Sequence, residues 1–154
     1  RDDWQKRETW DVHHWQDLNP VVPEGLIQMA MGTPAAIYHG GLLHASVRYF
    51  DPDAGRPGLP ADVAALVEAI TPEGLTLSLV NTHPLDERTV LVQAGGYGEH
   101  RFVAVRDAAA PEGPPAPVDS RVLRVKLGPW AQARMELTMD RYVNAPTYAY
   151  PWRR

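Results

Sequence analysis

The chain has 154 residues, a length that suits one domain with a sizeable buried core. Hydrophobic residues make up 44% and charged residues 22%, which excludes the composition of a disordered chain. The formal net charge is −4 and the basic residues are scattered, so we expect no nucleic-acid partner. The absence of cysteine excludes disulfides, thiolate catalysis and thiolate-ligated metals.

No apolar run in the sequence approaches the roughly 18 residues of a membrane helix, so we expect no membrane span. The composition suits a soluble protein and favours neither a cytoplasmic nor an extracellular location. The first residue is arginine rather than methionine. This predicts that the sequence is a processed chain or part of a larger protein.

Residues 1–40 are predicted to form an N-terminal arm. Trp4, Trp10 and Trp15 stand among many charged residues without a clear period. Because three indole rings in so polar a segment need a surface to cover them, we expect the arm to pack on the body of the domain or on a partner.

Residues 20–38 of this arm are apolar but interrupted by prolines and glycines. Pro23 suits the first turn of a helix and Gly32 suits its C-terminal stop, whereas alternating apolar residues between them equally allow a strand. Both interpretations stay open for this segment.

The next two elements are a strand and a short helix. Residues 42–50 alternate apolar and polar side chains, which indicates a half-buried strand. In residues 61–70, Val63, Leu66, Val67 and Ile70 fall at i, i+3, i+4 and i+7 after a proline. This spacing predicts an amphipathic helix from Ala61 to Ile70.

Leu75–Asp107 contains three predicted strands. Leu75, Leu77 and Leu79 alternate with polar residues, and valines resume the alternation after a polar turn at Pro84–Arg88. A third strand begins after a glycine pair. This stretch is predicted to be the centre of the β-sheet core.

The C-terminal third begins with a predicted surface loop at residues 107–119, which are rich in proline and glycine. Alternating residues 123–127 and 135–139 flank a Gly-Pro turn and predict a hairpin. The aromatic and proline-rich residues 141–154 are expected to extend over the surface or to dock against the N-terminal arm.

These elements together predict an all-β fold, namely an antiparallel, jelly-roll-like β-sandwich with one short helix. The domain is expected to span residues 1–154. Its two ends would be irregular, with a tryptophan-rich N-terminal arm and a tyrosine- and proline-rich C-terminal arm.

Two polar stretches at predicted strand ends have mainly structural interpretations. Asn81–Pro84 suits a turn in which asparagine and threonine side chains bond to backbone groups. Gly95–His100 lacks the lysine and hydroxyl residue of a phosphate-binding loop. It is predicted to be a bulge or a crossing between strands, with Glu99 and His100 paired.

The segments LSLVNTHP, RTVLVQAGGYGEHRF and VLRVKLGPWAQARMELTMDRY resemble the C-terminal β-sandwich accessory domains of multidomain carbohydrate-active enzymes. The resemblance covers residues 75–142. It implies an accessory unit beside a catalytic domain, with the tryptophan-rich arm and the segment IYHGGLLHA at the junction. It carries no catalytic residue onto this chain.

Aromatic residues concentrate near the two termini, and aromatic rings suit both sugar stacking and protein interfaces. We therefore predict a non-catalytic accessory or interaction module without a cofactor. Its candidate partners are an adjacent domain, a second copy of the chain and a glycan. The predicted binding residues are Trp4, Trp10, Trp15, Tyr148, Tyr150 and Trp152.

The alternative hypothesis is a metal-dependent enzyme with a site at one end of the sandwich, where strand-connecting loops cluster. The candidate ligands are His39, His44, His83, Glu99 and His100. Imidazole and carboxylate groups suit a divalent metal such as zinc, iron, copper or manganese. Their spacing matches no metal-binding motif, so surface or structural histidines are the competing interpretation.

Overall fold

The alternating strands of the central sequence build two antiparallel sheets that face each other across one apolar core. The computed structural model describes residues 24–33 and 41–152. The predicted antiparallel β-sandwich is confirmed. In the described residues one α-helix, α1 (Glu24–Met31), and a single 3-10 turn at Gly41–His44 precede the strands.

Nine strands follow in chain order within residues 41–152. They are β1 (Val47–Asp51), β2 (Arg56–Pro57), β3 (Val63–Thr71), β4 (Gly74–Asn81), β5 (Arg88–Ala94), β6 (Arg101–Asp107), β7 (Ala116–Ser120), β8 (Val122–Leu127) and β9 (Gln132–Asp140). The smaller sheet has the order β2-β1-β5-β8, and the larger sheet has the order β3-β4-β9-β6-β7.

The core lies between the two sheets and is built by alternate residues of their central strands. Because successive side chains of a strand point to opposite faces, the apolar positions noted in the sequence all meet there. Its fully buried members include Val47, Leu77, Leu79, Val90, Val92, Phe102 and Leu137.

The prediction of a helix from Ala61 to Ile70 is wrong, because this segment forms strand β3. It pairs with β4 from Val63 opposite Asn81 to Thr71 opposite Gly74, with an irregularity between Val67 and Ala69. Leu66 and Ile70 are apolar side chains on exposed positions of this strand, so the apolar spacing imitates a helix period. Pairing with β4 satisfies the backbone hydrogen-bonding groups of this valine-containing segment. This tertiary contact outweighs the helix-like spacing of the apolar residues.

The ambiguous segment before Gly32 forms the helix α1, which packs against β3. Gly32 has a φ of +62°, so it ends the helix in the left-handed conformation that glycine adopts readily. Ser46 ties this end to the sheet, because its Oγ donates to the carbonyl of Gly32 at 2.7 Å and its N–H donates to the carbonyl of Met31 at 2.9 Å.

The predicted C-terminal hairpin is also wrong. β8 pairs with β5 in the smaller sheet, whereas β9 lies between β4 and β6 in the larger one. The connection between them is a corner in which Trp130 has a φ of +54°. Alternation within the two segments is the same in either arrangement, so only long-range pairing distinguishes them.

The predicted loop at residues 107–119 ends in strand β7 at the edge of the larger sheet. Pro117 is tolerated there because an edge strand leaves some backbone N–H positions without a partner strand. The rest of that loop contains turns but no regular element.

Residues 141–152 form no helix or strand and run over the body of the domain, as predicted for the irregular C-terminal arm. Asn144 donates its N–H to the carbonyl of Glu99 at 3.1 Å, and Thr147 donates to the carbonyl of Tyr97 at 2.9 Å. This C-terminal segment is therefore docked on the connection between β5 and β6.

The predictions for most of the N-terminal arm fall outside the described residues. These include Trp4, Trp10, Trp15 and His39. In the part of the chain that is described, no helix combines the length and apolar character needed to cross a membrane.

Candidate functional site

The connection from β5 to β6 contains a buried carboxylate and a buried imidazole. Glu99 accepts a hydrogen bond on Oε2 from the N–H of Tyr97 at 2.8 Å. Its Oε1 lies 3.8 Å from Nε2 of His100, so the predicted pairing is present. A Cβ added to Gly95 would lie 2.5 Å from the Glu99 carboxyl group, and a side chain at Gly95 would therefore displace it.

His100 is held as a neutral hydrogen-bond acceptor. Its Nδ1 accepts the N–H of Tyr142 at 3.0 Å, and the ring of Tyr142 meets the imidazole edge to face at 4.6 Å. Burial lowers the pKa of His100, the carboxylate of Glu99 opposes that shift, and the charge of Arg141 adds to it. This histidine therefore anchors the C-terminal segment.

Two of the candidate metal ligands, His83 and His100, do not come together. His83 follows β4 and His100 precedes β6. These two strands run parallel because each is antiparallel to β9, so the two histidines lie at opposite ends of the sandwich. The eight residues of β4 span about 26 Å at about 3.3 Å per residue. A site containing both His83 and His100 is excluded by this separation.

Among the other candidates, His44 and Glu99 lie in the described residues. His44 is exposed in the 3-10 turn and lines an open cleft together with His100 and Arg141. Within residues 24–33 and 41–152, no three histidine, aspartate or glutamate side chains are arranged to hold a metal ion. The described residues therefore offer no metal centre.

The turn after β4 is organised by Asn81, which is fully buried. Its Nδ2 donates to the carbonyls of Asp86 at 2.8 Å, Gly128 at 2.9 Å and Leu127 at 3.2 Å. Its Oδ1 accepts the N–H of His83 at 2.9 Å. The predicted structural role of this turn is confirmed, because asparagine joins the ends of β4 and β8.

Two predicted binding residues of the C-terminal segment pack on the protein itself. The rings of Tyr150 and Trp152 are stacked with centroids 5.1 Å apart, and both meet Phe50 edge to face. Phe50 is only 1% exposed although it follows the core residue Tyr49 and so points away from the core. The C-terminal segment therefore covers part of the outer face of the smaller sheet.

Tyr148 differs from these two residues because it is 84% exposed. Its ring contacts Tyr97 edge to face, with centroids 5.2 Å apart. The ring of Tyr148 is therefore exposed to solvent in the middle of the C-terminal segment, and its contact with Tyr97 holds it in place. Such a ring offers an open face for stacking.

A cleft of about 370 Å³ lies between the C-terminal segment and strands β5 and β8, and its lining includes Thr147 and Ala149, the sequence neighbours of Tyr148. This volume is within the usual range of ligand pockets, about 300–1,000 Å³. Its polar lining comes from Gln93, Ser120, Arg121 and Thr147, and Tyr150 supplies an aromatic wall. We call this feature the tail cleft.

Sequence reasoning missed Gln93, Ser120 and Arg121 as site residues. Gln93 occupies an outward position of β5, and Arg121 follows β7 with no motif around it. The aromatic C-terminal segment was the only available signal, since the cleft exists because that segment folds back over the sheet.

Comparison of the chain with models of protein families, with curated proteins and with solved structures gives no match to any of them.

Proposed function

We propose that this protein is a non-catalytic accessory module that binds carbohydrate at the tail cleft. The observation that carries the proposal is the exposed ring of Tyr148, held edge to face on Tyr97, in the same segment that lines a polar cleft through Thr147, Ala149 and Tyr150. Sugar rings present an apolar face to aromatic side chains and hydroxyl groups to polar ones. The module is proposed to belong to a larger protein or assembly.

The polar lining supports a ligand rich in hydroxyl groups. Gln93 donates from Nε2 to the carbonyls of Gly95 and Gly96, both at 3.3 Å, so its side chain is held in one orientation. Ser120 accepts the N–H of Val122 on Oγ at 3.1 Å, which leaves its O–H to act as a donor. Fixed polar groups beside an aromatic wall are typical of small-molecule sites.

The test is titration of the full chain with a panel of soluble oligosaccharides, followed by isothermal calorimetry and by amide chemical shifts. We expect binding with a Kd in the micromolar to millimolar range and shifts that centre on residues 93–98 and 147–150. Tyr148→Ala is expected to weaken binding by about tenfold, which corresponds to about 1.4 kcal/mol.

The matched control is Trp130→Ala. Trp130 is 68% exposed, and its backbone N–H donates to the carbonyl of His83 at the opposite end of the sandwich. The variant removes an exposed aromatic ring and leaves the tail cleft intact, so binding should be unchanged. Equal losses in both variants, or no saccharide binding by the wild type, would refute the proposal.

A second role, contact with an adjacent domain or with a second copy of the chain, is favoured by apolar side chains exposed on α1 and β3. They are Leu26 at 66%, Met29 at 50%, Ile70 at 49% and Leu66 at 41% exposed. Concentration-dependent association that Leu26→Glu abolishes and Leu85→Glu leaves intact would support this interface. Leu85 is a suitable control because it is 81% exposed elsewhere, in the turn after β4.

A further inference from the structure

Most arginines in the described residues have an ion-pair or carbonyl partner. Carboxylates pair with Arg56, Arg88, Arg101, Arg106 and Arg134. Arg48 and Arg141 donate to backbone carbonyls instead. Arg121 and Arg124 make neither kind of contact with the described residues, so their charges are uncompensated there.

Arg121 lies at the tail cleft. Its stem passes Gly98, where an added Cβ would lie 3.4 Å from Cδ of Arg121, and its side chain lines the cleft. The carboxylate nearest to it along the chain, Asp119, pairs with Arg101 at 3.1 Å. The buried carboxylate of Glu99 accepts the N–H of Tyr97. Neither acid forms an ion pair with Arg121.

The rest of this sheet face adds positive charge. Arg48 is on the outward face of β1, opposite Gln93, and its guanidinium lies 4.9 Å from the ring centroid of Phe50. Arg124 is on the outward face of β8, opposite Leu91. A chain with a formal net charge of −4 therefore presents a locally basic surface beside the tail cleft.

We infer that the tail cleft binds an acidic saccharide, whose uronate carboxylate pairs with the guanidinium of Arg121. This inference rests on the proposed carbohydrate-binding function. A guanidinium binds a carboxylate through two parallel hydrogen bonds, which fixes orientation as well as charge. Gln93 and Ser120 meet the hydroxyl groups of the same sugar, and Tyr150 of the C-terminal segment meets its ring.

The experiment compares two probes that share their sugar rings and linkages and differ in the charge of the carboxyl group. Oligogalacturonides of defined length carry a carboxylate on each ring, and their methyl esters keep the same rings and linkages without that charge. Calorimetric titration of the full chain at low salt should give at least about tenfold tighter binding of the acid than of the ester. The difference should shrink as salt is added, because salt screens the ion pair.

Arg121→Gln is the decisive variant, and Arg124→Gln is its matched control. Both remove one unpaired positive charge from the same region, but only Arg121 lines the cleft. We expect Arg121→Gln to bind acid and ester equally, and Arg124→Gln to keep most of the preference. An unchanged thermal midpoint in Arg121→Gln shows that the fold is intact.

The possible failures are distinguishable. Equal binding of acid and ester by the wild type, with loss in Tyr148→Ala, overturns the acidic-saccharide inference and leaves the carbohydrate proposal standing. Absence of binding to any saccharide overturns both. Tight binding of a polyglutamate peptide that also requires Arg121 would show that the cleft takes an acidic peptide, and would overturn the inference as well.

Discussion

The backbone N–H of Tyr142 donates a hydrogen bond to Nδ1 of His100 across 3.0 Å. This contact joins the start of the C-terminal segment to the crossing between the two sheets. It requires an unprotonated Nδ1, because a protonated imidazole offers only donors. The position of the segment that forms the tail cleft thus depends on the charge state of one buried histidine.

The first prediction concerns pH. Because burial holds the pKa of His100 in the folded protein below its ordinary value of 6.5, the unfolded chain takes up a proton more readily below that pH. The free energy of unfolding should therefore fall as the pH drops below about 6.5, and the fall should level off below the pKa of the folded state. Urea unfolding at pH 7.5 and 5.5 measures it.

His100→Gln should reduce this pH dependence, since the glutamine oxygen can accept the same N–H without titrating. His44→Gln is the control, because His44 is exposed and makes no hydrogen bond with the described residues. Faster exchange of the Tyr142 and Asn144 amides at pH 5.5, corrected for intrinsic rates, should accompany the loss. An identical pH dependence in wild type and His100→Gln would contradict the prediction.

The second prediction concerns Asn81. Replacement by alanine leaves three carbonyls and the N–H of His83 without their side-chain partner. Because an unsatisfied buried polar group costs about 1–3 kcal/mol, we expect Asn81→Ala to lower the free energy of unfolding by about 2–4 kcal/mol. Thr82→Ala, which removes only an exposed hydroxyl bond to Asp62, should cost less than about 1 kcal/mol. Equal effects of the two variants in chemical denaturation would refute this role of Asn81.

The third prediction concerns the close approach of β9 to Gly74. A Cβ at this position would lie 1.9 Å from the carbonyl oxygen of Leu137, so Gly74→Ala must push two paired strands apart. The expected cost is about 1–3 kcal/mol.

Gly25→Ala is the control for Gly74→Ala, because it adds the same methyl group where there is space for it. Gly25 lies in α1 and a Cβ there meets nothing within 4 Å. The change should stabilise the protein by up to about 1 kcal/mol, because glycine is a poor helix former. A stable Gly74→Ala variant in thermal unfolding would show that β4 and β9 can separate at this point.

The fourth prediction concerns Tyr49, whose hydroxyl donates to the carbonyl of Ala30 in α1. Burial raises the pKa of Tyr49, so the donor stays protonated across the physiological range. Tyr49→Phe removes the donor and should cost about 1 kcal/mol while speeding hydrogen exchange in α1. Tyr97→Phe is the control, since its hydroxyl makes no hydrogen bond with the described residues, and it should leave α1 protected.

The local pattern of the sequence was sufficient for the central strands and for their inward faces. Leu75, Leu77 and Leu79 alternate with polar residues, and all three are in the core. This works because side-chain direction in a strand is a local property with a period of two. The pairing of Glu99 with His100 and the turn at Asn81 were also predictable from local sequence, because their first partners are near in sequence.

Only the tertiary structure decided which strands pair. The period at Val63, Leu66 and Val67 suited a helix, yet β4 supplies a neighbouring edge, and pairing with it makes the segment a strand. β8 and β9 likewise separate into two sheets because their hydrogen-bond partners lie far away in sequence. Strand pairing depends on contacts between residues that are far apart in the sequence, so a short stretch of sequence does not reveal it.

The candidate site depended on tertiary structure even more. Sequence alone pointed to the aromatic C-terminal segment, but not to the difference between Tyr148, which is exposed, and Trp152, which packs on Phe50. No sequence pattern around Arg121 marks it either. Whether its charge is paired depends on the distance to acidic side chains in the folded protein. The sequence determined which side chains are aromatic or charged. Folding alone decided which of them are left facing solvent together, because burial and ion pairing are properties of distances between residues far apart in the chain.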